Sequence, residues 1–300
     1  MRRTLFKLRF LSLVIVAMFA ALLPMAAQAA TAPSLGAAGS FALLGGTQVT
    51  CTAPATVNGN IGVSPGAAFT NTACMINGTV HKADSAANNA ANAVFGTSSS
   101  SVYNQLANAG CTQTVTTAAF TGATEAVSYK PGVICFTASA GATFTNTTLT
   151  LDGPANAVWI FKIAGAGGLT GTSFTVAGIG TRRNANVFWW VAGAAGATMT
   201  TSHFQGTIVA ASDITFTGSG AVNGRAFAKR GVTFTGPGTF SACGNATGGG
   251  GAGGGGEDKD KDKDKDKDKD SDNEGRDDSD HGDRDSEHGE GHHHSGSHDE

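Results

Sequence analysis

Carboxylates are scarce where a folded domain would need them for catalysis. Between residues 30 and 256 the acids are Asp84, Glu125, Asp152 and Asp213, scattered along the chain. Glycoside cleavage on an elongated β fold needs two carboxyl groups flanking one bond, and the sequence offers no such pair. His81 stands where a helix begins, a capping or packing position, and His203 has no evident partner. There is no Ser/His/Asp order, phosphate-binding loop or dinucleotide fingerprint, so the residues imply neither an enzyme nor a cofactor. The bases of the same stretch are Lys82, Lys130, Lys162, Arg182, Arg183, Arg225, Lys229 and Arg230; eight against four acids leave +4, too thinly spread to mark a nucleic-acid footprint. Cys51, Cys74, Cys111, Cys135 and Cys243 are too far apart for a CxxC zinc site. Beyond residue 29 no apolar run approaches the roughly 20 residues that a membrane-spanning helix takes, so stable membrane insertion is not expected.

What is present divides the chain into four parts. Residues 1–29 read as a secretory signal: Arg2, Arg3, Lys7 and Arg9 precede the apolar run Leu11 to Leu23, and Ala27-Gln28-Ala29 is an A-x-A cleavage site. Export is therefore expected, with disulfides permitted. Connectivity is not fixed by sequence; proximity pairs Cys51 with Cys74 and Cys111 with Cys135, leaving Cys243 free. Residues 30–247, rich in Gly, Ala, Thr and Val, are long enough to bury a large core in one domain. Residues 248–256 are glycine except Ala252, a flexible linker. Residues 257–300 alternate Asp and Lys and then become a Ser/Asp/Glu/His/Gly mixture, with 8 bases against 19 acids. Such a segment cannot build a core and is expected to be disordered. Its histidines, His292 to His294 among them, read as part of a solvated polar tail in preference to a weak divalent-metal site, and such a tail suits contact with a matrix or cell surface.

Two periodicities organise residues 30–247. Ala83, Ala86, Ala87, Ala90, Ala91 and Val94 recur at helical spacing, a narrow stripe of small side chains that lets a helix lie close to another surface. Gly96 and Ser98–Ser101 interrupt it, and Val102, Leu106 and Ala109 continue it until Gly110. The rest reads as short strands bounded by Gly, Asn and Ser. Among them a Thr-apolar-Thr pattern recurs at Thr143-Phe144-Thr145, Thr198-Met199-Thr200, Thr215-Phe216-Thr217 and Thr233-Phe234-Thr235, with Ser173-Phe174-Thr175 a near match. The last three repeats start at 198, 215 and 233, steps of 17 and 18 residues. That period predicts solenoid coils of three short strands, the middle residue inward and both threonines outward. In register, Thr198, Thr215 and Thr233 form one column and Thr200, Thr217 and Thr235 a second, with Thr143, Thr145 and Thr175 as extensions.

Eight blocks in order then resemble the secreted microbial ice-binding proteins of the DUF3494 type. They are LGAAGSFALLGGTQVT (35–50), VNGNIGVSPG (57–66), INGTVHKADSAANNA (76–90), KPGVICF (130–136), LTLDGPANAVWIFKI (149–163), NANVFWWVAGAAGAT (184–198), FQGTIVAASDITFTG (204–218) and AVNGRAFAKRGVTF (221–234). The resemblance implies an all-β solenoid with one long helix: a right-handed irregular parallel β-helix of triangular section, the helix packed alongside. It also implies a flat ice-contacting face, often with a loose T-A/G-x-T/N motif; Thr121-Gly122-Ala123-Thr124 fits it, whereas Thr170-Gly171-Thr172-Ser173, Thr217-Gly218-Ser219-Gly220 and Thr235-Gly236-Pro237-Gly238 do not. Asn58, Asn77 and Asn223, each before Gly, are expected at coil corners.

Two functions follow from one architecture. Stacked strands lie roughly 4.8 Å apart and alternate residues on a strand roughly 6.6–6.8 Å apart, a lattice on the scale of ice faces. Threonine supplies a methyl that limits hydration, a hydroxyl that anchors water and a stiff χ1; the partner would be an ice surface. The other reading is a structural or adhesive surface protein with the solenoid as a rigid spacer. Since residues from Glu257 onward offer nothing to bury, their removal should leave the melting temperature of the core unchanged in calorimetry. A large drop would show that the tail docks.

Overall fold

The computed structural model describes residues 30–122, 127–154, 156–178 and 186–242. Short alternating segments form strands that pair in parallel, each with its counterpart one coil away. Eight strands make one sheet, in the order Ala68–Asn71, Gln48–Cys51, Gly231–Phe234, Ile214–Thr217, Ala197–Thr200, Leu169–Thr172, Ala142–Thr145 and Ala119–Thr121. The other 15 form a second hydrogen-bonded system. It divides into two ladders that share the long strands His203–Ala210 and Gly220–Ala228. Gly206 and Gly224 pair at the division with φ +109 and +157, and a Cβ on Gly224 would stand 1.9 Å from the Gly206 carbonyl oxygen. Only glycine lets the two strands bend there together.

Chain order and stacking order differ. The first two coils, from Phe41 to Lys82, stack on the last one: Gln48–Cys51 pairs with Gly231–Phe234 on one side and with Ala68–Asn71 on the other. From Lys82 the chain crosses to the far end of the stack, resumes at Gln113–Val115 and coils back. The crossing is helical, with α1 at Ser85–Phe95 and α2 at Val102–Asn108. The ladder beneath has nine strands from Val80–Lys82 to Gln113–Val115, and eight steps of roughly 4.8 Å make about 38 Å. Residues 84–110 at helical rise cover about 39 Å, so the helical stretch matches the stack it spans.

The one long helix expected is instead two short ones. Gly96 ends α1, and Ser98 Oγ accepts from the Ser100 N–H at 3.1 Å, a local bond that competes with helix continuation. Asp84 caps α1, accepting the Ala87 N–H at 2.9 Å and lying 2.8 Å from His81 Nδ1. The Ala87 bond first, and His81 after it, hold the Asp84 carboxyl below the ordinary aspartate range. At the other end Lys162 Nζ donates to the Ala107 and Ala109 carbonyl oxygens at 2.6 and 2.7 Å, where a helix leaves acceptors unsatisfied. Burial lowers the Lys162 pKa. Ala90, Val94, Val102 and Leu106 cover an apolar outer face of the ladder that includes Leu44, Ile160, Phe188 and Phe227.

The interior of the coils is aromatic. Trp159, Phe161 and Trp189 are fully buried inside, and Phe188 is fully buried beneath the helices. Both bridges favoured by proximity form, Cys51–Cys74 and Cys111–Cys135. Cys243, the signal, the linker and the tail lie outside the described residues. At the corners, Asn58, Asn77 and Asn223 are strand residues, and the positive φ falls on Gly59 and Gly224 that follow.

A second set of corners constrains the stack more tightly. Gly141, Gly168 and Gly196 have φ +81, +69 and +69, and a Cβ on each would lie 2.0–2.1 Å from a carbonyl oxygen of the next coil. Gly196→Ala should therefore cost about 2–4 kcal/mol through a left-handed alanine and a backbone clash. Gly39→Ala, with nothing within 4 Å of the new methyl, should stay within about 0.5 kcal/mol. Urea unfolding checks both, and equal midpoints would show that the corner stack tolerates side chains.

Candidate functional site

The eight-stranded sheet carries the candidate site. Backbone register aligns Thr70, Thr50, Thr233, Thr215, Thr198, Thr170 and Thr143 in one outward column that ends at Ala119. Two residues along each strand, Thr217, Thr200, Thr172, Thr145 and Thr121 form a second column. It continues to Thr235, Thr52 and Thr72, whose N–H groups donate to the carbonyls of Phe216, Phe234 and Cys51 at 2.9–3.0 Å. No register shift interrupts the sheet. Seven steps of roughly 4.8 Å make the array about 34 Å long, with its columns roughly 6.6–6.8 Å apart.

The residues between the threonines turn inward. Phe120, Phe144, Phe216 and Phe234 are buried, as are Met199 and Cys51. Phe216 stacks on Phe234 at 4.7 Å and Phe120 on Phe144 at 4.9 Å. In five coils the residue after the second threonine takes a left-handed conformation: Gly122, Asn146, Ser173, Thr201 and Gly218. The chain therefore leaves the face at the same point each time, which keeps the edge of the array straight.

The strands of this sheet carry no charged residue. Asp213 and Arg230 stand at the rim and face each other at 3.5 Å, while Asp213 Oδ1 accepts the Gly231 N–H at 2.8 Å. Within the second column Thr200 Oγ1 and Thr217 Oγ1 are hydrogen-bonded at 2.8 Å. Elsewhere, Asp84 caps α1, Asp152 pairs with Lys130, and His203 is an exposed strand residue between Thr175 and Ala221. Among the described residues no group of three His, Cys, Asp or Glu side chains is placed to hold a metal ion.

Eight of the nine threonines expected from sequence share this face: Thr143, Thr145, Thr198, Thr200, Thr215, Thr217, Thr233 and Thr235. Thr175 does not. It pairs with Thr148 and His203 in another ladder, because Ser173 is a left-handed corner and Phe174 turns into the core. The third threonine rung is Thr170-Gly171-Thr172. A Cβ on Gly171 would meet Met199 Sδ at 2.7 Å and Phe174 Cδ1 at 3.1 Å, so Gly171 leaves the space that the Phe174 ring takes beside Phe144 at 4.5 Å. Thr50, Thr52, Thr70, Thr72, Thr170 and Thr172 lie outside the expected columns, as does Thr121, whose sequence signal is the T-A/G-x-T/N match at 121–124, of which residues 123 and 124 lie outside the described residues. The middle residues Cys51, Asn71 and Gly171 break a pattern that demands an apolar centre, whereas Thr-x-Thr with any centre recovers those three rungs.

Residues 43–237 match the family model described as ice-binding-like. An ice-binding protein from Nostoc sp. (strain HG1) is 33% identical over 212 residues, covering 69% of this chain and 72% of that protein. One from Flavobacterium frigoris (strain PS1) is 26% identical over 216 residues, covering 67% and 73%. Among solved structures, an ice-binding protein from an Antarctic biological consortium superposes with a TM-score of 0.60 at 25% identity over 74% of this chain and 96% of that one. One from the ascomycete Antarctomyces psychrotrophicus gives 0.60 at 25% over 71% and 99%. With a parallel β-solenoid, helices packed along one ladder and the family model covering most of the coils, the chain belongs to the ice-binding-like family.

Proposed function

We propose that this protein binds ice through the threonine face, as a secreted, non-enzymatic antifreeze or recrystallisation-inhibiting protein. The observation that carries the reading is the unbroken register of two threonine columns over eight strands. Each rung contributes little alone. A rigid array about 34 Å long places many methyl and hydroxyl groups against one surface at once, and adsorption grows with the number of rungs that fit together. Stiff β-branched side chains keep the array regular without an ordering cost at contact. The family membership supports the same function.

Three finer features belong to this reading. The coil is right-handed and triangular in section, supported by the three ladders and by the strong right-handed preference of parallel β crossovers. Export follows from the arginine-rich start, apolar run and A-x-A site of residues 1–29. The charged tail serves contact with a matrix or cell surface.

Thr215→Tyr should abolish most recrystallisation inhibition, because one protruding ring holds neighbouring rungs off a flat crystal. Its unfolding free energy should change by no more than about 0.5 kcal/mol, since the site faces solvent. Phe216→Ala should do the converse, losing about 3–5 kcal/mol to a core cavity while the molecules still folded near 0 °C keep their activity. Folded Thr215→Tyr and Thr217→Tyr proteins with full activity would place ice contact elsewhere. An unmutated protein without activity would overturn the ice reading itself.

A further inference from the structure

The threonine array ends differently from the way it continues. Among the described residues, strand Ala68–Asn71, which bears Thr70, is the last of its sheet and pairs only with Gln48–Cys51. In the interior strand Gln48–Cys51 both inward residues, Val49 and Cys51, are fully buried. On the last strand the corresponding Phe69 is half-buried, and Asn71 is exposed and polar. Phe69 still packs against the core, but burial holds this outermost rung less than its neighbour, and a terminal strand with fewer buried residues opens more readily.

A covalent tie stands where the hydrophobic hold runs out. The inward column passes Phe216 and Phe234 and reaches Cys51, which lies between Thr50 and Thr52 and bonds to Cys74, two residues beyond Thr72. The Thr72 N–H donates to the Cys51 carbonyl at 3.0 Å. Asn71 closes the turn, its Oδ1 accepting the Cys74 N–H at 2.8 Å and its Nδ2 donating to the Cys74 carbonyl at 3.0 Å. The bridge thus ties the backbone just beyond Thr72 to the strand on which Thr72 itself is hydrogen-bonded.

We propose that Cys51 and Cys74 are positioning residues for ice contact: their bridge holds Thr70 and Thr72 in register and sets the array at eight rungs. This rests on the threonine face being the ice-contacting surface. The molecule contains its own control. Cys111–Cys135 closes a loop of nearly the same length, a sequence separation of 24 against 23, so the two bridges restrict the unfolded chain almost equally. Cys135 belongs to the ladder under the helices, away from the threonine sheet.

The test compares Cys51→Ala/Cys74→Ala with Cys111→Ala/Cys135→Ala in the otherwise intact chain, at a temperature where both are folded. Should the first pair fail to fold, Cys51→Val/Cys74→Ala keeps an apolar group at the inward site. Loss of Cys51–Cys74 should raise severalfold the protein concentration needed to inhibit recrystallisation, and should speed amide exchange at Thr72 by about tenfold or more, as local opening would. Loss of the other bridge should do neither. Thr70→Tyr should impair activity with the bridge present and add little once it is gone. Equal losses from both bridge variants, or activity and exchange that survive removal of Cys51–Cys74, would overturn the positioning role alone. An unmutated protein with no ice activity would overturn it together with the function on which it rests.

Discussion

Pairing between Gln48–Cys51 and Gly231–Phe234 joins the beginning and the end of the core in one ladder. Because the first two coils stack on the last one, the threonine face is continuous in space although its rungs come from opposite ends of the sequence. The same closure dictates the helices: a chain that has built two coils must travel the whole stack before it can coil back toward them, and α1 and α2 are that passage. Lys162, gripping the carbonyls at the end of α2, ties the passage to the ladder near the end where coiling resumes.

Closure alone would not face the threonines outward. A slip of one residue in a strand exchanges its two faces, and here it would drive threonine hydroxyls into the core and phenylalanine rings into water. The inner stacks make that exchange costly. Phe161 lies on Trp189 at 4.1 Å, Phe144 on Phe174 at 4.5 Å and Phe216 on Phe234 at 4.7 Å, close to the strand spacing itself. The rings therefore set the same repeat inside that the hydroxyls present outside, and the regularity of the outer lattice is inherited from the core.

The parts of this arrangement that were legible in the sequence are those written locally. The Thr-apolar-Thr repeats, with their 17- and 18-residue steps, indicate the coils and eight of the fifteen threonines of the two columns. The alanine stripe indicated α1, and the Gly96 and Ser98–Ser101 interruption marked the break before α2. What stayed hidden depends on contacts between coils. Nothing local says that Gly171 is empty so that Phe174 can enter, yet that exchange both places Thr170 and Thr172 on the face and removes Thr175 from it. Nor does any local signal join Thr50 to Thr233, because the strand that pairs with both its neighbours belongs to a distant part of the chain. Corners are only partly readable: glycine is expected to bend, whereas the left-handed Ser173 and Thr201 adopt their conformation in a run of five coils that turn at the same height.

The three ladders divide the outer chemistry of the solenoid among themselves. One is apolar outside and is covered by α1 and α2. A second bears side chains that satisfy one another up the stack: Asn77 Nδ2 donates to Asn58 Oδ1 at 2.8 Å, and Asn58 Nδ2 donates to Ser241 Oγ at 3.1 Å. Amides engaged in this way offer little to a solid that must be met at fixed spacing. The threonine face differs from both. Its methyl groups limit hydration without being apolar enough to need cover, and the backbone fixes the spacing of its hydroxyls, of which Thr200 Oγ1 and Thr217 Oγ1 bond each other and Thr52 Oγ1 donates to the Phe234 carbonyl. Charges would bind water too tightly for an ice-like layer to form, and the nearest pair, Asp213 and Arg230, is held at the rim. A surface that is regular and uncharged arises here because the helices cover one ladder, a second interrupts its threonines Thr148, Thr175, Thr239 and Thr56 with His203 and Ala221, and only the eight-stranded sheet repeats threonine in two columns.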